Sequence, residues 1–476
     1  MSNHIGLDVG TTTITAVVVD GQTGDVVSTA SAPNDAETTS AEKRKRGLSE
    51  WDAVRILRIA RNVLTEAVKP GYTVAAIGVT GQMHGTLLVD EECNPISSFV
   101  GWQDQRSNES HPDSDTSLIV NFLNAVDQTD PAGKVCRPKV GYLGPTLAWF
   151  AAHEQLPNRP FQASFLPDLI SARLTNTSPV TDATNAAGSG LFNIVERQWH
   201  WPLIDQIQLN ADILPRVVPS GSMAGKLAEE WADTGLDSGI PVCVACGDNQ
   251  ASFLGSVKSP EDTVLINLGT GGQVSVSTTS TTVGLGLEVR PHVDGQYILV
   301  GAGLVGGRTY AWLRDFYLDI GRSIFGIEGD SELVYQRMTQ LASNVPSGAE
   351  GLRFEPLLTG TREDPDRRGV IQGIGSTNFG TGQLSRALLE GVIVQFKQLY
   401  ETAIRTGVRE RQVLVGSGNG IRKNRVLRET AEKEFGLKMQ VPRHREEAAF
   451  GAAMQAMVLE GDRAGLLDAA NVIQYA

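Results

Sequence analysis

The sequence contains few cysteines and no long apolar run. Four cysteines among 476 residues cannot build the disulfide framework of a secreted scaffold. Cys243 and Cys246 have Cys-x-x-Cys spacing, but they lie in an apolar segment and no second pair of metal ligands follows. We therefore predict that both are reduced and packed in the core. No stretch of about 18 apolar residues predicts a membrane span.

Positive charge is also scarce. The formal net charge of −13 argues against a nucleic-acid-binding protein, which needs a basic face. It does not exclude an anionic nucleotide, since a local set of amides and a magnesium ion outweighs distant charge. No Gly-x-x-x-x-Gly-Lys-Ser/Thr motif occurs, which excludes a P-loop, and no signal peptide is visible. We expect a cytoplasmic monomer or homodimer without membrane partners.

Residues 5–20 predict two β-strands joined by a tight turn. An alternating apolar strand ends at Asp8 and Val9, and a strand rich in β-branched residues follows the turn. Glycine allows the turn amides to face an anion, and threonine hydroxyls add donors. Asp8 would place a carboxylate beside that anion, where Mg²⁺ can bind. An ordinary hairpin is the alternative. The turn consists of Gly10, Thr11, Thr12 and Thr13.

The same pattern returns in the second half of the chain. Asn267 stands 259 residues after Asp8 and is followed by Gly269, Thr270 and Gly271 in another strand, Gly-Thr turn and strand. Such a repeat predicts two halves built on one plan. Strands and helices alternate in both halves, which is typical of an α/β fold with mixed sheets. We predict domains at residues 1–256 and 257–476.

Two further glycine-rich segments follow apolar strands. Residues 301–306 have the spacing of a dinucleotide-binding fingerprint, but a lone match is weak evidence. The segment is more typical of a helix entry beside a phosphate or a base, with Gly306 at that entry. Residues 416–420 precede a predicted helix, and their small side chains would let adenine or ribose approach the backbone. A tight strand–helix turn without a ligand is the alternative for residues 416–420.

Asp248 follows a buried strand and precedes a predicted helix. A helix N-terminus favours the ionised carboxylate, so we expect Asp248 to be a weak base at neutral pH. Phosphoryl transfer tolerates a weak base, because its loose transition state depends mainly on an oriented hydroxyl. Helix capping is the alternative role for an isolated Gly-Asp.

Together these motifs resemble the FGGY carbohydrate kinases over nearly the whole chain. Residues 8–13 and 267–271 are similar to the two phosphate hairpins of that family, and residues 247–250 to the segment with its catalytic aspartate. Residues 416–424 resemble its adenosine loop, and residues 447–453 its closing helix. The resemblance implies two actin-like, ribonuclease-H-like α/β domains with a catalytic cleft between them.

The resemblance also implies functional residues. The first domain would bind the sugar, the second would bind ATP with Mg²⁺, and Asp248 would deprotonate the attacking hydroxyl. The metal ligand would be Asp8. The implied ATP-binding residues are Gly10, Thr11, Thr12, Thr13, Gly269, Thr270, Gly271, Gly306, Gly418, Asn419 and Asn424. The implied sugar-binding residues are Gln82, Met83, His84, Trp102, Asp104, Arg106, Asp248 and Asn249.

Specificity within the family is indicated by a few departures. Many glycerol and xylulose kinases carry a lysine where Thr146 stands, whereas sedoheptulokinases resemble this chain in lacking it. They also share its Trp-Gln-Asp segment and its Gly-Ser-Gly turn. These similarities predict a kinase for the terminal hydroxyl of sedoheptulose. The alternatives are a kinase for xylulose, another pentulose or a polyol, a non-catalytic sugar or nucleotide sensor, and a nicotinamide oxidoreductase.

Overall fold

The computed structural model describes residues 2–269, 271–304, 306–358, 360, 364 and 366–476. Contacts divide the chain into two compact units, here called unit 1 and unit 2. The domain boundary after residue 256 stays a prediction. Residues 446–474, which that boundary assigns to the second domain, pack within unit 1. Unit 1 comprises Met1–Lys258, Arg290–Tyr297 and Glu446–Gln474, and unit 2 comprises Ser259–Val289, Ile298–Arg445 and Tyr475–Ala476.

The β-strands are short and most are paired in one of two larger sheets. They are β1 (Asn3–Val9), β2 (Thr13–Asp20), β3 (Val26–Pro33), β4 (Glu50–Trp51), β5 (Val74–Gly81), β6 (Leu87–Val89), β7 (Phe99–Val100), β8 (Gln162–Ser164), β9 (Val180–Thr181), β10 (Phe192–Asn193), β11 (Gln198–Trp199), β12 (Arg216–Val217), β13 (Met223–Lys226), β14 (Pro241–Cys243), β15 (Cys246–Gly247), β16 (Thr263–Leu268), β17 (Gly272–Thr278), β18 (Glu288–Pro291), β19 (Tyr297–Leu304), β20 (Arg353–Glu355), β21 (Val370–Gln372), β22 (Val413–Ser417) and β23 (Met439–Gln440).

The α-helices vary from one turn to seven. They are α1 (Ala41–Lys45), α2 (Ala53–Ala67), α3 (Leu118–Thr129), α4 (Leu143–Ala152), α5 (Leu166–Thr175), α6 (Ala183–Ala187), α7 (Trp201–Gln206), α8 (Asp248–Ser256), α9 (Gly307–Phe325), α10 (Ser331–Ser343), α11 (Thr381–Arg405), α12 (Gly418–Lys423), α13 (Arg425–Phe435), α14 (Glu447–Glu460) and α15 (Leu466–Ala469).

Unit 1 is built on a mixed sheet with the strand order β13-β14-β5-β1-β2-β3, and β15 also pairs with β5. β1 pairs antiparallel with β2 and parallel with β5. The apolar side chains of β1, Ile5, Leu7 and Val9, are fully buried, because α2 and α14 pack against this part of the unit. A strand with cover on both sides is expected to be apolar at nearly every position.

Helix α14 approaches β1 closely because small residues line the contact. A Cβ atom on Gly6 of β1 would lie 1.7 Å from the carbonyl oxygen of Ala449. On the helix's other side, a Cβ on Gly451 would lie 2.0 Å from the carbonyl oxygen of Ala251 in α8. The helix therefore packs backbone against backbone on both β1 and α8, and it sets the distance between them.

Unit 2 repeats the hairpin arrangement of unit 1. Its sheet has the order β18-β19-β17-β16-β22-β23. β16 pairs antiparallel with β17 and parallel with β22, as β1 pairs with β2 and β5. The predicted internal repeat is therefore present in the strand pairing. Helices α9, α10 and α11 pack together around a core that includes Leu313, Met338, Phe354, Leu384 and Leu388.

The expected core position of the cysteines agrees with the structure. Cys243 and Cys246 are buried and free, and burial raises the pKa of the Cys243 thiol to about 12. A thiol with such a pKa is inert at neutral pH. Within the described part of the chain, no helix is both long enough and apolar enough to cross a membrane.

Candidate functional site

The first hairpin turn lies at the end of β1. The Gly10 amide donates a hydrogen bond to the Thr13 carbonyl at 3.1 Å, which closes the turn. Thr12 and Thr13 are exposed, and Thr11 is half-buried. The Trp102 indole Nε1 donates to Thr11 Oγ1 at 3.1 Å. The hydroxyls of Thr12 and Thr13 are thus accessible to a ligand, and Trp102 lies beside them.

Asp8 lies just before this turn. Its Oδ1 is buried and has no hydrogen-bond partner among the residues that the structure describes. Burial raises the pKa of Asp8 well above its usual range, and repulsion from the carboxylates of Asp248 and Glu446 raises it further. A cation at this position would relieve both effects.

Asp248 is the first residue of α8 and directly follows β15. Its Oδ1 accepts a hydrogen bond from the Asn249 amide at 2.8 Å. Burial raises the pKa of Asp248 to about 6, against the opposing effects of the Asn249 and Met83 amides and of Arg290. Asp248 is therefore a stronger base than the helix N-terminus alone would make it, because desolvation outweighs that effect. With a pKa of about 6, roughly nine carboxylates in ten are still ionised at pH 7.

Arg290 is a site residue that the sequence did not reveal. It is buried in β18, and its Nη1 donates to Asn249 Oδ1 at 3.2 Å and lies 3.7 Å from the Met83 sulfur. Its charge lowers the pKa of Asp248. The available signal was an arginine inside the stretch 287–293, which alternates apolar and polar residues, but nothing local connected that stretch with Asp248.

Three of the residues implied for sugar binding follow the end of β5, where Gly81 pairs with Gly247 just before Asp248. Gln82 is buried, and in the described structure neither polar atom of its amide has a hydrogen-bond partner. The Met83 amide hydrogen-bonds to Asp248. The His84 ring stacks on Tyr142 with centroids 4.1 Å apart, and its Nδ1 lies 3.1 Å from the Gly188 carbonyl. An unsatisfied buried amide beside a carboxylate is suited to bind a polyol.

Asp104 and Arg106 form a buried ion pair, and their contact with the sugar stays a prediction. Arg106 Nε lies 2.8 Å from Asp104 Oδ1, and Arg106 also pairs with Glu50 at 2.9 Å. Asp104 has no exposed surface and also accepts a hydrogen bond from the Ser49 amide at 2.7 Å. Trp102, two residues earlier, is 45% exposed. The ion pair therefore positions the loop that presents Trp102.

A second cavity, of about 1100 Å³, lies within unit 2. Glycine backbone forms one end of it, where the Gly269 carbonyl accepts a hydrogen bond from the Gly307 amide at 2.9 Å. A Cβ on Gly306 would lie 2.6 Å from the Gly271 carbonyl oxygen, so the close approach requires glycine. Thr270 lies outside the described residues. Of the residues implied for ATP binding, those that line this cavity are Gly269, Gly306, Asn419 and Asn424.

Gly418 packs closely against the backbone of Leu268, a residue that lines the same cavity. Its φ is +84°, and a Cβ there would lie 2.6 Å from the Leu268 carbonyl oxygen. The Asn424 side chain caps α13 by accepting from the Leu427 amide at 3.3 Å. A glycine-rich end of this kind admits a phosphate or a ribose close to the backbone.

The other end of the cavity is aromatic and aliphatic, and sequence reasoning missed its residues. Tyr310 and Tyr335 line it together with Leu388 and Val392. The two tyrosine rings lie 5.8 Å apart, and burial raises the pKa of Tyr310 to about 12, so its hydroxyl stays neutral. These residues are spread over three helices, and only the folded chain brings them together. A flat base fits this apolar end.

The fingerprint spacing of residues 301–306 does not form a dinucleotide-binding turn. Gly301 and Gly303 lie inside β19, and the following helix starts only at Gly307. The first two glycines of the fingerprint therefore do not form the turn between the strand and the helix. The described part of this segment thus lends no support to the nicotinamide alternative.

Comparisons with protein-family models give two matches. The FGGY family of carbohydrate kinases, N-terminal domain, matches residues 3–255, and the C-terminal domain of the same family matches residues 264–460. Together the two models span most of the chain.

Two curated relatives of similar length are kinases of different sugars. The xylulose kinase of Staphylococcus xylosus is 27% identical, with 97% of this chain and 91% of that protein covered. The sedoheptulokinase of Mus musculus is also 27% identical, with 94% of this chain and 96% of that protein covered.

Solved structures support the fold. The gluconate kinase of Lactobacillus acidophilus has a TM-score of 0.84 at 20% identity, covering 100% of this chain and 92% of that chain. The glycerol kinase of Plasmodium falciparum with ADP has a TM-score of 0.80 at 20% identity, covering 96% of this chain and 90% of that chain. With the family models, these likenesses confirm the predicted fold class of two actin-like α/β domains.

Proposed function

Because the chain belongs to the FGGY family of carbohydrate kinases and is thus an ATP-dependent sugar kinase, we propose that it phosphorylates the terminal hydroxyl of a ketose, with sedoheptulose as the preferred acceptor. The observation that carries the proposal is the cluster around Asp248. Asp248, a carboxylate with a pKa of about 6, follows Gly247, which pairs with Gly81 just before the buried Gln82 amide. That amide has no hydrogen-bond partner in the described structure. This pair offers a base for one hydroxyl and a donor and acceptor for another.

In the proposed reaction, Asp248 takes the proton of the acceptor hydroxyl. The hydroxyl oxygen then bonds to the γ-phosphorus, and the bond between that phosphorus and the β-phosphate oxygen breaks, releasing ADP. The Asn249 amide hydrogen-bonds to the Asp248 carboxylate, and Arg290 binds the Asn249 side chain. The positive charge of Arg290 keeps Asp248 ionised near neutral pH. Gln82, His84 and Trp102 are the proposed sugar contacts.

The nucleotide is proposed to bind in the cavity of unit 2. Adenine would lie against Tyr310 and Tyr335, and the ribose and phosphates against the backbone at Gly269, Gly306 and Gly418. The exposed hydroxyls of Thr12 and Thr13 are proposed donors to the transferred phosphate.

Magnesium fits one position in unit 1. Asp8 presents a buried oxygen without a hydrogen-bond partner in the described chain, and the negative charges of Asp248 and Glu446 act on it. No cluster of three or more His, Cys, Asp or Glu side chains suited to a metal occurs among the described residues. An ion held by one carboxylate together with phosphates and water is the usual arrangement for Mg²⁺. We propose Asp8 as its protein ligand; when bound, the ion neutralises phosphate charge.

Sedoheptulose is favoured over xylulose by the absence of a lysine at Thr146 and by the Trp-Gln-Asp segment at Trp102. Thr146 is fully buried in α4. Xylulose remains the second candidate, because a xylulose kinase and a sedoheptulokinase are equally identical to the chain.

A substrate panel tests this choice. ADP release measured by a coupled assay should give the highest kcat/KM with sedoheptulose, and lower values with xylulose, ribulose, gluconate and glycerol. A longer acceptor gains binding energy from each additional satisfied hydroxyl. Maximal activity on xylulose, with sedoheptulose near background, would exclude the proposed acceptor but leave the kinase assignment intact.

The pH profile tests the role of Asp248. Because the base must be ionised, log kcat/KM should rise with a slope of one below about pH 6 and level off above about pH 7. Arg290→Gln removes a charge that lowers the pKa of Asp248, so the acidic limb should move to higher pH, by up to about one unit. Arg216→Gln, an exposed site in unit 1, is the control and should leave the limb in place. An identical limb in all three proteins would show that another group titrates.

A further inference from the structure

An arginine-rich cavity of about 540 Å³ lies in unit 2, apart from the residues assigned above to the two substrates. Two glutamates also line it, so its side chains carry a formal charge of +3. The whole chain, by contrast, carries −13. The arginines are Arg422, Arg425, Arg428, Arg443 and Arg445.

The fold assembles these arginines from two helices and one loop. Arg425 and Arg428 lie three residues apart on α13, which places them on one face. Arg422, from α12, donates to the Pro442 carbonyl at 2.7 Å and to the His444 carbonyl. This contact holds the loop that carries Arg443 and Arg445 against the helices. The cavity is therefore a built feature and not a set of independent surface side chains.

The acidic side chains in the lining already have partners. Glu429 pairs with Arg425 at 2.5 Å, and Glu432 accepts hydrogen bonds from Lys438 and from the Met439 amide. Among the described residues, Arg428 and Arg445 have neither a salt bridge nor a side-chain hydrogen bond. Arg428 is half-buried, so its charge is partly desolvated without compensation. An anionic ligand would supply that compensation.

We propose that this cavity binds a compact small molecule with two or more phosphate groups. Guanidinium groups bind phosphate bidentately, and several converging guanidinium groups favour a ligand with more than one phosphate. The volume fits a small molecule, and the acidic chain disfavours nucleic acid. Arg425 and Glu429 line both this cavity and the proposed nucleotide cavity, so the two cavities adjoin at α13.

Isothermal titration of the full-length protein with pyrophosphate and with ribulose 1,5-bisphosphate tests the proposal. The buffer contains no magnesium, and sulfate is titrated for comparison. Saturable binding is expected for at least one of the two phosphate compounds, and the tighter one indicates the spacing of the phosphates. The Arg428→Gln/Arg445→Gln variant should weaken that binding about tenfold or more, since two charge-assisted contacts are lost. Neither residue contacts the proposed catalytic groups, so kinase activity should be retained.

The Arg337→Gln/Arg353→Gln variant is the control: it removes the same two positive charges as the Arg428→Gln/Arg445→Gln variant, but at exposed positions of unit 2 outside the cavity. It should bind the same compound with unchanged affinity. The proposal fails if neither compound binds more tightly than sulfate, if the Arg428→Gln/Arg445→Gln variant binds as tightly as the wild type, or if both variants weaken the binding equally. Unchanged binding to the Arg428→Gln/Arg445→Gln variant would place the anion outside this cavity, whereas equal weakening would indicate nonspecific attraction.

Discussion

Replacing Asp248 with asparagine is expected to lower kcat about 10³-fold or more while ATP binding is retained. The amide has nearly the size of the carboxylate and can still accept the hydrogen bond from the Asn249 amide. It cannot take the proton of the acceptor hydroxyl, and it leaves Arg290 without its neighbouring negative charge. The effect should therefore fall on the chemical step, with little change in the KM for ATP.

Two measurements separate this result from a folding defect. The rise in melting temperature caused by ATP reports nucleotide binding to the native state and should match that of the wild type. Asp237→Asn, at an exposed position in the same unit, is the matched control and should keep full activity. An Asp248→Asn enzyme that turns over at a tenth of the wild-type rate would remove Asp248 from the role of base.

The two Gly-Thr hairpins illustrate what the sequence alone could predict. Alternating apolar residues and a glycine turn are local signals, and they predicted strands that the structure contains at β1, β2, β16 and β17. The repeat between Asp8 and Asn267 also predicted that both hairpins would take equivalent places in two sheets, as they do. The residues with an assigned role near these turns, including Asp8, stay proposals.

Features that depend on distant contacts were not predictable. Arg290 and Asn249 are far apart in the sequence, so their hydrogen bond could not be predicted. Only the fold explains why burial raises the pKa of Asp248. The buried pairing of Asp104 with Arg106 was hidden for the same reason, because a motif does not show which of its side chains point inward. Cytoplasmic location and a monomeric or dimeric state likewise stay predictions.

The position of α14 is the clearest such case. Sequence order predicted it in the second domain, but it packs in unit 1, in contact with β1, β5 and α8. Its contacts matter for the proposed chemistry, because β1 carries Asp8 and α8 begins at Asp248. The spacing of these two carboxylates depends on how closely the helix backbone approaches its neighbours.

Gly6→Ala should therefore destabilise unit 1 by about 3 kcal/mol or more, at the upper end of the usual range for overpacked cores. The new Cβ would lie 1.7 Å from the Ala449 carbonyl oxygen and 2.8 Å from the Ala453 amide nitrogen. Both atoms belong to helix backbone and cannot move aside as a flexible side chain would. The sheet and α14 must separate, which also displaces Asp8 relative to Asp248.

Chemical denaturation followed by circular dichroism, together with the apparent melting temperature, measures this loss, and kcat should fall in the protein that remains folded. Gly465→Ala is the matched control, because a Cβ at Gly465 meets no atom within 4 Å and its φ is 175°. That variant should unfold like the wild type. If Gly6→Ala also unfolded like the wild type, the close backbone contact between β1 and α14 would be wrong, and the argument that α14 spaces the two carboxylates would fail with it.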